Sequence, residues 1–342
     1  MENALTNKAL VSKSTTNFLK VFFEIIVLCH HLYLPSTAAG KELSTVMGIC
    51  AVAGFLFLSG YGVGMQYQKK GDAYISHLIK KRVIFNYLLI VFVNMCYLTL
   101  FIMKGGEFKS FLGALCSLLY LPFSKDYVTL SSWVYFIGDL LLYYVLFCVF
   151  AKVFAKKKNT LKKSALAIIY LGVIAVVALS LINKSTGSLR FLRACFMFPI
   201  GLLCAHYNDR LYDFIEKNRK KCIINLSIAF VLVWFASLFG RSISEYFTAD
   251  FIVLVFVCIF LGDNKERPFF DKASRLVLIV YLSHEFFFKM YMHYMSKVWP
   301  QNRIGIIVVF STIGFAVLFR IVADGVAKKM KQLGVSGVPQ KR

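Results

Sequence analysis

The stretch FLKVFFEIIVLCHHLYLP, residues 18–35, places Lys20, Glu24, His30 and His31 inside an otherwise apolar run. These are residue types that do chemistry. Neutral imidazole is a base near pH 7 and can take a proton from a hydroxyl in a transition state. A lysine can hold an anion. On a helix, the eleven positions from Lys20 to His31 amount to three turns plus about 20° of drift, with a rise of ~16 Å. Lys20, Glu24 and His31 then form one polar stripe, and His30 points about 100° away from it. Two plainer readings stand beside this one. Lys20 can snorkel to a membrane surface and pair with Glu24. A histidine can hydrogen-bond a neighbouring helix and do nothing more. Two adjacent histidines above a cation favour a site.

The elements that carry these residues follow from composition. The chain has 342 residues, 58% of them hydrophobic and only 17% charged. Soluble domains average roughly 45–50% apolar and about 25% charged. The excess recurs in about ten runs, each near the ~20 residues that cross a bilayer as a helix. The spacing predicts spans over approximately 17–37, 44–66, 83–103, 132–153, 164–182, 191–207, 222–239, 247–261, 276–296 and 303–323. The runs do not alternate, as a membrane β-barrel would require. The expected fold is an all-α polytopic membrane protein. It is a single domain over 1–342, with short tails 1–16 and 326–342.

Net charge is +23, and the cations lie in every second loop rather than on one face. That distribution argues against nucleic acid and for a bilayer. Of the 40 Lys and Arg residues, 28 fall on the side of the N-terminus, ten on the other, and Lys289 and Arg320 within spans. The positive-inside rule puts both termini in the cytoplasm. The apolar segment 109–121 is too short to span, and a span there would reverse the bias. It reads as an external re-entrant or interfacial piece, and 104–131 as a wall of an outward-facing cavity. The first span is too long and too polar for a cleaved signal peptide. Nine cysteines show no CxxC and no metal spacing, so neither a disulfide framework nor a metal site is expected.

LKVFFEIIVLCHHLY resembles the first helix of the membrane-bound acyltransferase-3 family, which carries a basic residue, ten residues, then a histidine: here Lys20 and His31. Four further stretches resemble that family in order. AGFLFLSGYGVG supplies Ser59, Gly60 and Tyr61. HLIKKRVIFNYLL supplies Lys80, Lys81 and Arg82. SSWVYFIGDLLLYYVLF supplies Trp133 and Asp139, and VLIVYLSHEFFF supplies Tyr281 and His284. Arginine is commoner than Lys20 in the first motif. Where a second arginine often follows Arg82 by three residues, this chain has Phe85.

The resemblance implies transfer of an acyl group, usually acetyl from acetyl-CoA, to a hydroxyl of a surface or secreted carbohydrate at the outer face of the cell membrane. No bound cofactor is implied. It also implies that His31 acts in catalysis and that Lys20 engages the CoA. Beside it, the residues suggest further roles. His30 is the fallback base. Asp139 orients His31 or an acceptor hydroxyl, or else pairs with Arg193. Lys80, Lys81 and Arg82 meet CoA phosphates or anchor the helix. Ser59, Gly60 and Tyr61 admit a thioester chain or permit close packing. Trp133, Arg190, Arg193 and His284 contact the acceptor. His77 and His206 look ordinary. The rival reading is a secondary transporter or glycan flippase without chemistry, which would need discontinuous helices and often inverted repeats.

Overall fold

The first helix, α1 (Lys13–Leu32), is started by a cap that the sequence provides locally: the Thr15 N–H donates to Ser12 Oγ at 3.1 Å. Thirteen helices follow from such local rules in the computed structural model, which describes residues 8–32, 38–121, 124–130, 135–155, 157–182, 196–239 and 244–332. They are α1, α2 (Ala38–Lys70), α3 (Ala73–Leu78), α4 (Phe85–Met103), α5 (Phe111–Leu118), α6 (Tyr135–Val153), α7 (Thr160–Ile182), α8 (Met197–His206), α9 (Asn208–Phe239), α10 (Ser244–Ile259), α11 (Pro268–Ala273), α12 (Val277–Met295) and α13 (Gln301–Gln332). A π-helical turn, Ile79–Ile84, joins α3 to α4. Among the described residues there is no strand.

Four stretches are long and apolar enough to cross a bilayer: Leu43–Lys70, Ala73–Met103, Phe136–Val153 and Arg303–Gly325. Outward faces are apolar in these stretches and in α7 and α9 too; Leu88, Phe310, Ile174 and Leu232 are all exposed. A water-soluble fold would not leave such a surface.

Several boundaries differ from those expected. The third span begins at Ala73 rather than 83, because the basic stretch is itself helical through the π turn. His77 lies on α3, not in a loop. α9 starts at Asn208 rather than 222, and its polar first part is set off by non-helical geometry at Asn218 (φ −117°, ψ 20°). α8 is described over ten residues only, and 191–195 of the expected sixth span lie outside the described residues. The expected N-terminal tail is partly built into the bundle. Leu10 and Val11 are buried, the Leu10 N–H donates to Asn208 Oδ1 at 3.1 Å, and Asn208 Nδ2 donates to the Lys8 carbonyl.

Two relationships position α1. At the end where α1 starts (the near end), Ser12 Oγ and Thr15 Oγ1 both donate to the Asp263 carbonyl, at 2.8 and 2.9 Å. Asn17 Nδ2 donates to Asp271 Oδ1 at 2.8 Å. These bonds set α1 level with α11, and α12 then runs beside α1 in the same direction. Above them, Phe22 and Phe23 meet Phe256 at 5.6 and 6.2 Å between ring centroids, and Phe18 meets Phe260 at 5.5 Å. Aromatic pairs of this kind add about 0.5–1.5 kcal/mol each beyond their buried area. On the next face, α2 packs against α8 closely enough that backbones nearly touch. A Cβ on Gly60 would lie 2.0 Å from the Phe198 carbonyl oxygen, and one on Gly201 2.4 Å from that of Phe57. Small residues permit such approach between membrane helices.

The short apolar segment after α4 folds back into the bundle. Asn94 Nδ2 donates to the Leu118 carbonyl at 3.1 Å, and Tyr87 Oη to that of Leu119 at 3.0 Å. Asn94 is nine residues before the end of α4, about 13 Å down the axis. The last carbonyls of α5 are thus satisfied at depth, as irregular backbone inside a bilayer must be.

Candidate functional site

His31 lies in the last turn of α1, half-buried. Because α1 and α12 run level and parallel, its ring meets that of His284, which is fully buried two turns into α12. The two imidazoles are stacked, with centroids 5.4 Å apart and planes 29° apart. His284 Nδ1 is 3.3 Å from the Val280 carbonyl oxygen. A carbonyl only accepts, so a bond there puts the proton on Nδ1 and leaves Nε2 as the acceptor nitrogen. Tyr281 meets the other side of His284 at 5.7 Å and is itself braced by Phe136 of α6 at 5.4 Å. His30 faces a different helix. Its Nδ1 is 3.0 Å from Ser44 Oγ, and its ring lies where a Cβ on Gly48 would sit, 2.7 Å from Cδ2. The neighbouring imidazoles of α1 are 4.6 Å apart, and the ring of His31 meets α12 at His284.

Nearer the start of α1, Lys20 lies close enough to Arg82 for their like charges to act on each other. Arg82 Nη1 donates to Tyr144 Oη at 3.3 Å. The site is therefore one helix with an imidazole pair at its far end and a pair of cations below.

The family model described as an acyltransferase domain, of the acyltransferase-3 type, matches residues 16–321. The chain belongs to the acyltransferase-3 family. No curated protein and no solved structure gave a match. The match takes in both histidines of α1, all of α12 and about two thirds of α13, so the His31–His284 contact lies wholly within the acyltransferase domain.

The other sequence-predicted residues of this acyltransferase are distributed as follows. Glu24 is buried, and both its carboxyl oxygens lack a hydrogen-bond partner among the described residues, so the expected Lys20–Glu24 pair is not formed. Lys20 turns towards Arg82 instead. Lys80, Lys81 and Arg82 all lie within the π turn, are exposed, and face different ways, as residues one and two apart on a helix do. Arg82 bonds Tyr144, and Lys80 lines a separate small cavity with Lys152 and Asp72. Gly60 serves the α2–α8 contact, and Tyr61 donates from Oη to Asn208 Oδ1 at 2.8 Å. Ser59 is half-buried on α2. Asp139 is buried on α6, one turn from Phe136, with no hydrogen bond to His31 among the described residues. Of its other expected partners, the acceptor hydroxyl is no part of the protein and Arg193 lies outside the described residues. Trp133, Arg190 and Arg193 lie outside the described residues.

Two features escaped sequence reasoning, and Glu285, legible as a mid-span acid, gained its partner only in the structure. Asn208 gathers Tyr61, Leu10 and Lys8, and nothing in its local sequence signals this. Asp250 is a buried acid on α10; a lone acid in an apolar run was its available signal. Glu285, one residue after His284, pairs with Lys289 at 2.7 Å, and Lys289 Nζ lies 5.4 Å from the Tyr97 ring centre. That i,i+4 pair was legible as spacing. Among the described residues no group of three or more His, Cys, Asp or Glu side chains is arranged to hold a metal ion.

Proposed function

We propose that the protein is an integral-membrane O-acyltransferase of the cell membrane, a single domain with about ten spans and both termini in the cytoplasm. It moves an acyl group, in the simplest case acetyl, from cytoplasmic acyl-CoA to a hydroxyl of an extracytoplasmic or membrane-linked carbohydrate. The observation that carries the reading is the His31–His284 ring contact. It joins the first and the last of the family-like stretches at one point inside the bundle.

In this mechanism the near-end cations Lys20 and Arg82 receive the phosphates of the donor. Two like charges brought together in a low-dielectric setting favour an anion between them. The acceptor oxygen attacks the thioester carbonyl carbon as His31 takes its proton. The carbon–sulfur bond breaks, and the proton passes to the departing thiolate. His284 is the positioning residue. Its Nδ1 is tied to α12, and the face of its ring lies against the imidazole on which positive charge develops. General-base assistance of this kind contributes about 10²–10⁴-fold. In this reading the transfer is direct, with no covalent acyl-enzyme.

The test is acetyl-CoA turnover with a hydroxyl acceptor in proteoliposomes, comparing wild type with His31→Ala and His30→Ala. Loss in His31→Ala and substantial retention in His30→Ala is expected. Retained turnover in both variants refutes the base assignment. Movement of glycan without thioester consumption would establish the transporter reading instead.

A further inference from the structure

A second polar region lies apart from the imidazole pair, and neither Lys20 nor Arg82 lines it. At the near end, a cavity of about 1140 Å³ opens between the last turns of α2, the first turn of α7 and the α8–α9 junction. Lys69, Lys162 and Arg210 face it, with His206. Lys162 and Arg210 are both near enough to His206 for their charges to act on that ring. Lys162 is further held by the Tyr207 ring, with Nζ 5.8 Å from its centre.

The charges in this cavity do not cancel. Lys8 also lines it, but its ammonium is taken by Asp213 at 2.9 Å. Asp209 also lines it, its carboxylate bonded by Asn208 Nδ2 at 2.9 Å, and sets one negative charge against the three of Lys69, Lys162 and Arg210. Among the described residues no carboxylate forms an ion pair with Lys69, Lys162 or Arg210. The surplus of positive charge around one cavity is repulsive until a further anion enters it. The helix α7, of 23 residues, starts at this wall, with Asn159 and Lys162 both lining the cavity, so its positive end faces the same space. A carboxylate carries one negative charge; a phosphate monoester or diphosphate carries about two or more and accepts from both arginine and lysine.

We propose that this cavity binds a phosphate or diphosphate group through Lys69, Lys162 and Arg210. Such a group comes either from a soluble phosphoester or from the headgroup of an anionic lipid.

The experiment uses the purified full chain. Its thermal midpoint is followed in detergent with inorganic pyrophosphate, and in nanodiscs of phosphatidylglycerol against phosphatidylcholine. The variants are Lys162→Gln/Arg210→Gln and the charge-preserving Lys162→Arg/Arg210→Lys. A rise with pyrophosphate identifies a soluble source; a rise with phosphatidylglycerol alone identifies a lipid source. In either case the neutral double variant should weaken the response at least tenfold in ligand concentration, as loss of charge-assisted bonds predicts. The charge-preserving variant should keep most of it. Should the neutral variant not fold, Lys69→Gln, at an exposed position, is measured in the same way and should also bind more weakly. Absence of any rise in wild type, or an unchanged response in the neutral variants, overturns the site.

Discussion

The ring of His31 stacks on that of His284, 5.4 Å between centroids, because the Asn17–Asp271 bond sets α1 level with α11 and α12 then runs beside α1 in the same direction. If the two act as one unit, their losses should not add. We expect His31→Ala to lower turnover by about 10²–10⁴-fold. His284→Ala should lower it less, and the double variant should be no worse than His31→Ala alone. Single-turnover acyl transfer in proteoliposomes measures all three. Multiplying losses would show that the rings work independently.

The α2–α8 contact allows no side chain at Gly60. Gly60→Ala brings a Cβ against the Phe198 carbonyl oxygen and should destabilise by about 1–3 kcal/mol. Gly62, two residues on, has open space where a Cβ would sit, with nothing within 4 Å, so Gly62→Ala should be neutral or gain a few tenths of a kcal/mol from helix propensity. Thermal midpoints in detergent compare the pair. Equal behaviour would mean that the close packing is not real.

The re-entrant α5 depends on Asn94. Asn94→Ala leaves the carbonyl of Leu118 without its donor, which costs about 1–3 kcal/mol when buried. Cys116, buried on α5, should then react faster with a maleimide. An unchanged labelling rate would show that α5 is held by something else.

Asp263 links the near-end loop to α1. Burial acts to raise its carboxyl, but the Arg267 guanidinium, the Lys265 backbone N–H and the charges of both side chains outweigh that and hold it below its ordinary value. A carboxyl held low in the folded state stabilises above the unfolded value of about 3.9. That contribution is lost as pH falls through the folded value. The thermal midpoint of wild type should therefore exceed that of Arg267→Gln near neutral pH, and the gap should narrow below about pH 4. A gap independent of pH would remove Asp263 as its origin.

Glu24 is buried with both oxygens unpartnered among the described residues. An acid in that state is costly, so Glu24→Gln should raise the thermal midpoint. A fall would reveal a partner that only the carboxyl satisfies.

Much of this was legible in residue order. Apolar runs near bilayer length, the charge bias between alternate loops and the Lys20–His31 spacing arise from neighbours along the chain, where helical periodicity is enough. The short segment 109–121 was recognisable as too short to span for the same reason. The partners of Lys80 and Arg82 were not, since Tyr144 and Lys152 reach them from another helix.

What the sequence alone determined was a membrane-length helical chain of acyltransferase-3 type, with an imidazole three turns above a cation on its first helix. Which imidazole meets a partner, and which partner, was decided only in three dimensions. His30 turns to Ser44 and His31 to His284 because α1 is pinned at Asp263 and Asp271. Those bonds join residues some 250 positions apart, and no periodicity within a single helix can encode them.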